Sequence, residues 1–188
     1  MLTHKGTVTI VTQRLTLRRF VPDDAPTMFR NWASDDNVTR YLTWFAHRSV
    51  EETADIVNRW VAEYEADNRY QWAIVLRELG EPIGSIGVVR QNEDAAAAEL
   101  GYCIGEAFWH RGYVSEALRA VMDFLFDEVG YNRLSAIHDI RNPRSGAVMK
   151  ACGMQYEGTR REFALTKEGD LLSVAEYALL RRERHTKK

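Results

Sequence analysis

Residues 98–117, AELGYCIGEAFWHRGYVSEA, decide the fold of this chain. The pattern predicts a strand, a short loop that contains His110, Arg111 and Gly112, and then a helix. At such a helix N-terminus, unpaired N–H groups meet the positive end of the helix dipole, which favours a phosphate-bearing ligand. Gly112 lets backbone amides approach phosphate oxygens closely because it has no Cβ. An ordinary strand-to-helix turn is the alternative interpretation, and the rest of the chain has to decide between them.

Length and composition exclude several classes of protein. A chain of 188 residues is predicted to form one domain, residues 1–188, with a sizeable core. The net charge of −2 indicates no basic surface for nucleic acid or an anionic membrane, and no apolar run approaches the ~20 residues of a membrane span. The first residues, MLTHKG, do not have the apolar core of a signal peptide. We therefore expect neither nucleic-acid nor membrane partners.

The two cysteines, Cys103 and Cys152, fall in a predicted strand and a predicted helix. They do not indicate a disulfide framework, so a reducing cytoplasm is the expected compartment. Neither cysteine has a neighbouring Cys or His at the spacing typical of zinc ligands. We therefore expect no metal site.

The N-terminal half alternates between strand and helix patterns. Strands are predicted over 15–20, 70–76 and 83–89, and helices over 22–33 and 50–66, with one helical turn between 38 and 45. Ser49 and Glu52 form a capping-box pattern at the start of the second helix. Short polar turns join the last two of these strands to the strand in residues 98–104, which predicts an antiparallel meander.

The C-terminal half begins with a strongly amphipathic pattern. Apolar residues at helical spacing follow Gly112 and stop at Gly130, which predicts a long helix. This helix leads to a strand over 134–140, and such a crossover places that strand parallel to the one ending at Ile104. A loop over 141–144, a short helix over 145–152, two final strands, and a basic, frayed tail over 181–188 complete the prediction.

These elements predict an α/β domain of the α+β kind. Its sheet is mixed and mostly antiparallel, has about seven strands with a central parallel pair, and is flanked by helices. The sequence contains no internal repeat, low-complexity segment or linker.

Three stretches together match the pattern of a known family. Residues 100–104, LGYCI, are similar to its fourth strand, and residues 109–117, WHRGYVSEA, to its pyrophosphate loop and the helix that follows. Residues 142–145, NPRS, with the helix behind them, are similar to its Asn-x-x-Ser segment. The chain thus resembles the GCN5-related N-acetyltransferase (GNAT) superfamily over roughly residues 15–180, and within it the RimJ/RimL-type group that acetylates protein N-termini.

The loop departs from the superfamily pattern, Gln/Arg-x-x-Gly-x-Gly/Ala, at two positions. Trp109 occupies the first and Val114 the last. Because the resemblance implies binding through backbone amides, phosphate binding is expected to be retained.

The resemblance implies a single GNAT-like domain with acetyl-CoA as co-substrate. The loop amides would hold the pyrophosphate, the end of the strand would pair with the pantetheine arm, and Asn142 would hydrogen-bond that arm or the loop opposite it. An Asx turn before Pro143 is the alternative role of Asn142. The implied cofactor-binding residues are Tyr102, Cys103, Ile104, His110, Arg111, Gly112, Tyr113, Val114, Ser115, Asn142 and Ser145.

The implied reaction is direct attack of an amine on the thioester carbonyl. Glu99 is the candidate general base, and a solvated strand residue or a structural ion pair is its alternative role. Ser145 is the candidate proton donor to the leaving thiolate, and it also fits a helix N-cap. His138 is a second candidate base, but strand alternation favours a packed core histidine.

The acceptor is expected to be a primary amine, and a protein N-terminus of the ribosomal-protein Ser or Ala type fits the resemblance. An α-amine has a pKa of ~8 and needs less help from a base than a lysine at ~10.4. Small amines such as polyamines, antibiotics or amino acids remain alternatives, as does an acyl-CoA-binding sensor without turnover. The expected linings of the acceptor site are Tyr41, Trp44, His47 and Phe163, with core packing as the alternative for Tyr41 and Trp44. A monomer and a homodimer through the last strands are both compatible with the sequence.

Overall fold

Eight strands form one mixed sheet in the computed structural model, which describes residues 1–186. The strands are β1 (Ile10–Val11), β2 (Leu15–Arg18), β3 (Gln71–Leu76), β4 (Glu81–Asn92), β5 (Ala97–Ile104), β6 (Arg133–Asp139), β7 (Gln155–Leu165) and β8 (Leu171–Leu180). They lie in the order β1-β2-β3-β4-β5-β6-β8-β7, and neighbouring strands are antiparallel except for β5 and β6. The predicted mixed sheet with a central parallel pair is confirmed.

The helices that flank this sheet are α1 (Ala25–Met28), α2 (Asp36–Thr39), α3 (Val50–Glu63), α4 (Tyr113–Phe124) and α5 (Pro143–Ala151). The sequence predicts one continuous helix over 22–33, whereas the structure divides it into a 3-10 turn (Pro22–Asp24), α1 and a π-helical turn (Phe29–Ala33). Pro26 has no N–H to donate to the Pro22 carbonyl, which accepts from Ala25 instead, so the 3-10 turn does not continue regularly into α1.

The helices lie on two opposite faces of the sheet. α4 and α5 cover one face, where Leu100 and Ala136 join the apolar residues of α4 in the larger core. α1 and α3 cover the other face and pack against Val75. Because successive strand residues point to opposite faces, Glu99 lies on the α1–α3 face and Tyr102 on the α4–α5 face.

The parallel strands β5 and β6 pair over three residues. Ala97–Glu99 lies opposite Arg133–Ser135, and beyond that point β6 continues beside β8 and β5 beside β4. Within the described chain, residues 100–104 have no strand on their β6 side. The two strands therefore enclose a groove, and we call its closed end, the Glu99–Ser135 pair, the apex.

The strand count differs from the predicted seven because of β1. Ile10 and Val11 pair with Leu17 and Thr16 of β2. A two-residue strand in the polar segment 7–12 has no periodic pattern that a sequence can display.

The C-terminal segment also differs from the predicted frayed tail. Arg181–Thr186 forms a 3-10 helix, and the Arg184 guanidinium forms ion pairs with Asp123 and Asp127. These ion pairs hold the segment against α4 and the turn that follows it. The same prediction covers residues 187–188, which lie outside the described residues.

None of the helices in residues 1–186 is both long enough and apolar enough to cross a membrane. In the same part of the chain, no three His, Cys, Asp or Glu side chains are grouped so that they would hold a metal ion.

Candidate active site

The edge of β5 that faces the groove carries unpaired backbone groups. Gly105 N–H donates to the Ile83 carbonyl of β4 at 2.9 Å, which fixes the alternation of the preceding residues. Cys103 therefore directs its main chain toward β4, whereas Tyr102 and Ile104 direct theirs into the groove. These groove-facing N–H groups can pair with an extended ligand, as an added strand would.

Cys103 lies in a different environment from the one that the sequence predicts. It is among the predicted cofactor-binding residues, but its main chain pairs with Ser85 of β4 and is not free to pair with a pantetheine arm. Its side chain lies on the α1–α3 face, with Sγ 3.4 Å from Ser85 Oγ, and burial raises the pKa of the thiol. Successive residues of a strand direct their main-chain groups to opposite sides, so Cys103 faces β4 whereas its neighbours Tyr102 and Ile104 face the groove.

Trp109 bonds to one of the groove-facing carbonyls. Its indole Nε1–H donates to the Ile104 carbonyl at 2.9 Å, so this acceptor already has a partner. Arg144 of α5 lies 5.5 Å from the Trp109 ring centroid, and this contact joins the two sides of the groove near the loop. Trp109, one of the two residues that depart from the superfamily pattern, thus helps to form the wall of the groove.

The loop before α4 presents its amides at the helix N-terminus. His110 (φ 60°) and Gly112 (φ 75°) both adopt the left-handed conformation, and Gly112 is the N-cap. The first intrahelical bond runs from Glu116 N–H to the Gly112 carbonyl at 3.0 Å. The N–H groups of the first helical turn precede this bond, so they are available to an anion. The buried side chain of Val114 points into the core and leaves these amides open.

A distant segment of the chain supports this loop. The Arg14 guanidinium donates to the Arg111 carbonyl at 2.9 Å, pairs with Glu116 at 2.7 Å and lies 4.6 Å from the Tyr113 ring centroid. Glu116 also accepts hydrogen bonds from Thr12 Oγ1 and from Arg14 N–H. Burial favours a higher pKa for Glu116, but these hydrogen bonds outweigh it and hold that pKa below its usual value. No motif in the sequence links residues 12–14 to this loop.

Asn142 and Ser145 lie at the N-terminal end of α5. Asn142 is the N-cap of α5, and its side-chain amide has no hydrogen-bond partner within residues 1–186. The alternative Asx turn does not form, since the Asn142 side chain accepts no hydrogen bond from the first turn of α5. Ser145 is the third residue of α5, so the N-cap role considered for it is wrong. Instead, its Oγ lies 3.0 Å from the Tyr102 hydroxyl, across the groove.

Glu99 lies at the apex, on the face opposite to Tyr102. Its carboxylate is 3.7 Å from Arg90 Nη1 of β4, and its side chain is 15% exposed whereas that of Arg90 is 66% exposed. The arrangement gives Glu99 an ion-pair partner and keeps its carboxylate partly accessible on the α1–α3 face. Both roles considered for Glu99 are compatible with this position.

His138 is a packed histidine, as alternation predicts. Its Nδ1 bonds to the Asp139 carbonyl at 2.8 Å, and its ring centroid lies 5.8 Å from that of Tyr177. Nε2 lies 2.6 Å from the position that a Cβ on Gly146 would take, so α5 covers the ring. His138 is thus on the α4–α5 face, away from Glu99.

Among the residues predicted to line the acceptor site, Trp44 and His47 are in contact, and the β7–β8 hairpin reaches their segment through Lys167. Lys167 Nζ donates to the Thr39 carbonyl at 2.9 Å and lies 3.5 Å from the Trp44 carbonyl, which ties the hairpin to the segment after α2. Trp44 lies over His47, with ring centroids 5.2 Å apart. His47 is buried and bonds to Thr53 Oγ1 at 2.8 Å, and burial lowers its pKa. It supports Trp44 from beneath.

Tyr41 and Phe163 are more accessible than His47. Tyr41 is half-buried and lies under the Arg40 guanidinium, 5.4 Å from its carbon. Phe163, on β7, is exposed and lies 3.8 Å from the guanidinium carbon of Arg160. Both rings remain candidates for contact with an acceptor.

Comparisons with known proteins show which family the chain resembles. The profile of the family described as "Acetyltransferase (GNAT) domain" matches residues 14–155. The chain is 32% identical over 178 residues to "Uncharacterized N-acetyltransferase p20" of Bacillus licheniformis, an alignment that covers 93% of this chain and 97% of that protein. It is 26% identical over 178 residues to "Putative ribosomal N-acetyltransferase YdaF" of Bacillus subtilis, covering 92% and 94% of the two chains.

Solved structures show the same fold. A structure described as that of "a putative ribosomal-protein-serine acetyltransferase" from Vibrio cholerae superposes with a TM-score of 0.82 at 23% identity, covering 94% of this chain and 99% of that one. The family match over most of the chain and the 32% identity to an N-acetyltransferase settle the assignment. This chain belongs to the GNAT family of acetyltransferases.

Proposed function

We propose that this acetyltransferase binds acetyl-CoA in the β5–β6 groove and transfers the acetyl group to the α-amine of a protein N-terminus, as RimJ/RimL-type enzymes do. The observation that carries the proposal is the unpaired edge of β5, residues 100–104, beside the open N-terminus of α4. GNAT acetyltransferases use acetyl-CoA. Both cysteines are free thiols, which is consistent with a cytoplasmic site of action.

The loop and the first turn of α4 are suited to the pyrophosphate. Amides from His110 to Ser115 surround the left-handed Gly112, and the helix dipole adds positive potential there. The exposed side chains of His110 and Arg111 extend from the same loop. The Asn142 amide, free of other partners, would bond to the pantetheine arm from the α5 side.

The groove-facing N–H groups supply electrostatic stabilisation of the reaction. A pantetheine arm that pairs with β5 would run from the loop toward the apex, and the Tyr102 or Ile104 N–H would face the thioester oxygen. A fixed donor of this kind contributes ~3 kcal/mol to the stability of the transition state. In this proposal, Glu99 accepts the proton of the attacking amine from the α1–α3 face, and Ser145 donates to the leaving sulfur from the α4–α5 face.

The chemistry of the amine supports an α-amine acceptor. At pH 7 an α-amine of pKa ~8 is about one-tenth neutral, whereas fewer than about one lysine in a thousand is neutral. The carboxylate at the apex already has Arg90 as an ion-pair partner, so an acceptor that asks little of a base suits this site. The similarity to "Putative ribosomal N-acetyltransferase YdaF" supports a protein as the source of that amine.

The test is thiol release from acetyl-CoA with a panel of amines. The panel contains peptides that begin with Ser, Ala or Thr, the same peptides with a blocked N-terminus and an internal lysine, polyamines, aminoglycosides and free amino acids. We expect turnover with at least one class of free N-terminus and none with its blocked counterpart.

A pair of matched variants tests the role of Asn142: Asn142→Ala is the test and Asn58→Ala is the control. Asn58 lies exposed on α3, so its replacement leaves the groove unchanged. We expect Asn142→Ala to raise the KM for acetyl-CoA about tenfold, as the loss of one or two hydrogen bonds would, and Asn58→Ala to have no effect. Turnover with small amines only would overturn the protein acceptor, and binding of acetyl-CoA without turnover on any amine would favour a sensor.

A further inference from the structure

We infer that the Tyr102 side chain is a positioning residue that orients Ser145 so that its Oγ–H points at the sulfur leaving group. This inference rests on the proposed function and extends it, because only the backbone of Tyr102 has a role in cofactor binding there. Tyr102 and Ser145 come from opposite sides of the groove, β5 and α5, and meet through their hydroxyl groups.

The contacts of the Tyr102 hydroxyl define two arrangements. It lies 3.0 Å from Ser145 Oγ and 3.1 Å from the Ser145 carbonyl oxygen. When the phenol donates to the carbonyl, as the 3.1 Å contact allows, only the Ser145 hydroxyl can be the donor in the 3.0 Å contact, and its proton then points at the phenol oxygen. When the phenol donates to Oγ, the Ser145 proton is free to point elsewhere. In this inference, the site with CoA bound takes the second arrangement, where the phenol donates to Oγ and leaves the Ser145 proton free to point at the sulfur.

The surroundings of Tyr102 favour this role. Its ring packs against the larger core beneath α5, which fixes the position of the hydroxyl. Burial raises the pKa of Tyr102, so the phenol keeps its proton at neutral pH and remains a donor. Ser145 occupies the first turn of the nine-residue helix α5, where the helix dipole favours a nearby negative charge.

The step that this arrangement assists is the departure of the thiolate. A bond forms between the amine nitrogen and the acetyl carbon, the carbon–sulfur bond breaks, and its electron pair stays on sulfur. The amine proton leaves to Glu99 or to water. A thiol of pKa ~8.5 can depart as an anion, so Ser145 needs only to donate a hydrogen bond to the sulfur and does not lose its proton.

The kinetic test is a double-mutant cycle of Tyr102→Phe and Ser145→Ala, with Tyr156→Phe as matched control. Tyr156 loses the same oxygen from an exposed position on β7, where it bonds to Thr159. We expect Tyr102→Phe and Ser145→Ala each to lower kcat about tenfold, because each removes one hydrogen bond from the transition state. The KM for acetyl-CoA should change less than about twofold. We expect the double variant to be no slower than Ser145→Ala, because Tyr102 acts through Ser145.

A leaving-group test separates this role from a loss of structure. With an aryl thioester of acetic acid, whose thiolate leaves without a hydrogen bond, the effect of Tyr102→Phe should disappear. If Tyr102→Phe slows the reaction equally in the Ser145→Ala background or with the aryl thioester, the inference is overturned.

A titration keeps the inference testable even if no amine in the panel is an acceptor. The pKa of the thiol of bound CoA, measured by the ultraviolet absorbance of its thiolate, should be about one unit higher in Tyr102→Phe than in the unaltered protein. The same rise is expected in Ser145→Ala and in the double variant. An unchanged thiol pKa in Tyr102→Phe would contradict the inference, whereas absence of turnover with a shifted pKa would contradict only the proposed function.

Discussion

The two roles considered for Glu99, general base and structural ion-pair partner of Arg90, predict different effects of mutation. It lies at the apex, where β5 and β6 part, and its partner Arg90 is largely exposed to solvent. Exposed ion pairs contribute about 0–1 kcal/mol to stability. If Glu99 served only to hold Arg90, removal of either partner would therefore have a small and similar effect.

We predict that Glu99→Gln lowers kcat roughly a hundredfold, because a general base contributes at least about that factor to the rate. Arg90→Gln should change kcat less than about threefold. The measurement is kcat with the best peptide acceptor between pH 6 and 9. The deficit of Glu99→Gln should shrink at high pH, because the α-amine loses its proton without help there. Equal losses in the two variants would assign Glu99 to a structural ion pair.

For single residues, the sequence is a better guide to which residues lie near the groove than to the contacts that their side chains make. Gly112, Asn142 and Ser145 can be chosen from their motifs because each motif is local. The bond between Tyr102 and Ser145 joins residues 43 positions apart, and that between Arg14 and the loop spans 97. Such contacts depend on how the elements pack, so no motif reports them.

The proposed cofactor binding depends on the N-terminus of α4, and Glu116 fastens this helix to the turn between β1 and β2. The carboxylate accepts from Thr12 Oγ1 at 2.6 Å and from Arg14 N–H at 2.9 Å, in addition to its ion pair with Arg14. Because these bonds favour the charged form, the pKa of Glu116 is lower in the folded protein than in the unfolded chain. The stabilisation is therefore fully present above the ordinary value of 4.5 and is lost as the pH falls through the folded value.

We predict that Glu116→Gln lowers the free energy of unfolding by about 1–2 kcal/mol at pH 7, because an amide replaces the charged acceptor of several hydrogen bonds. Urea denaturation at pH 7 and at decreasing pH measures this difference, which should narrow as Glu116 itself becomes protonated. Glu78→Gln, at an exposed position in the turn between β3 and β4, is the control and should change little. A difference that persists undiminished in acid would show that the charge of Glu116 is not the cause.

The elements that the sequence predicts best are those with long periodic patterns. The amphipathic pattern after Gly112 predicts α4 and the stop at Gly130, although the last turn before Gly130, Leu125–Val129, is π-helical, and the crossover predicts the parallel pair. The segment 22–33 is predicted less well, because apolar spacing does not show that its main-chain hydrogen bonds change from 3-10 to α and then to π spacing. Periodicity shows where an element lies, and main-chain hydrogen bonding decides its geometry.

At the scale of the whole molecule, the groove passes between the two faces of the sheet. The open helix N-terminus of α4 and the Asn142 and Ser145 side chains lie on the α4–α5 side, whereas Glu99 lies on the α1–α3 side. The sequence predicts that β5 and β6 are parallel, but not that they part after Glu99. That point depends on the twist of the whole sheet and on the pairing of β6 with β8.

The predicted acceptor side consists of two distant parts of the chain, and Lys167 joins them. Its ammonium group donates to the carbonyl of Thr39, 128 positions away, lies near that of Trp44, and is 5.2 Å from the Phe45 ring centroid. The contact fixes the β7–β8 hairpin over the segment after α2. An acceptor peptide that enters between them depends on their relative position, whereas the cofactor loop lies on another part of the molecule.

We predict that Lys167→Met raises the KM for the acceptor peptide about five- to tenfold, since the loss of one charge-assisted hydrogen bond costs about 1.5 kcal/mol or less at a partly exposed site. The KM for acetyl-CoA should stay within about twofold of the unaltered value, because none of the loop amides contacts the hairpin. Lys150→Met, the same change at an exposed position on α5, is the control and should leave the acceptor KM unchanged. Initial rates with each substrate varied in turn measure both constants. A rise in the acetyl-CoA KM with no change for the peptide would mean that the acceptor enters elsewhere, and the hairpin would then have no part in acceptor binding.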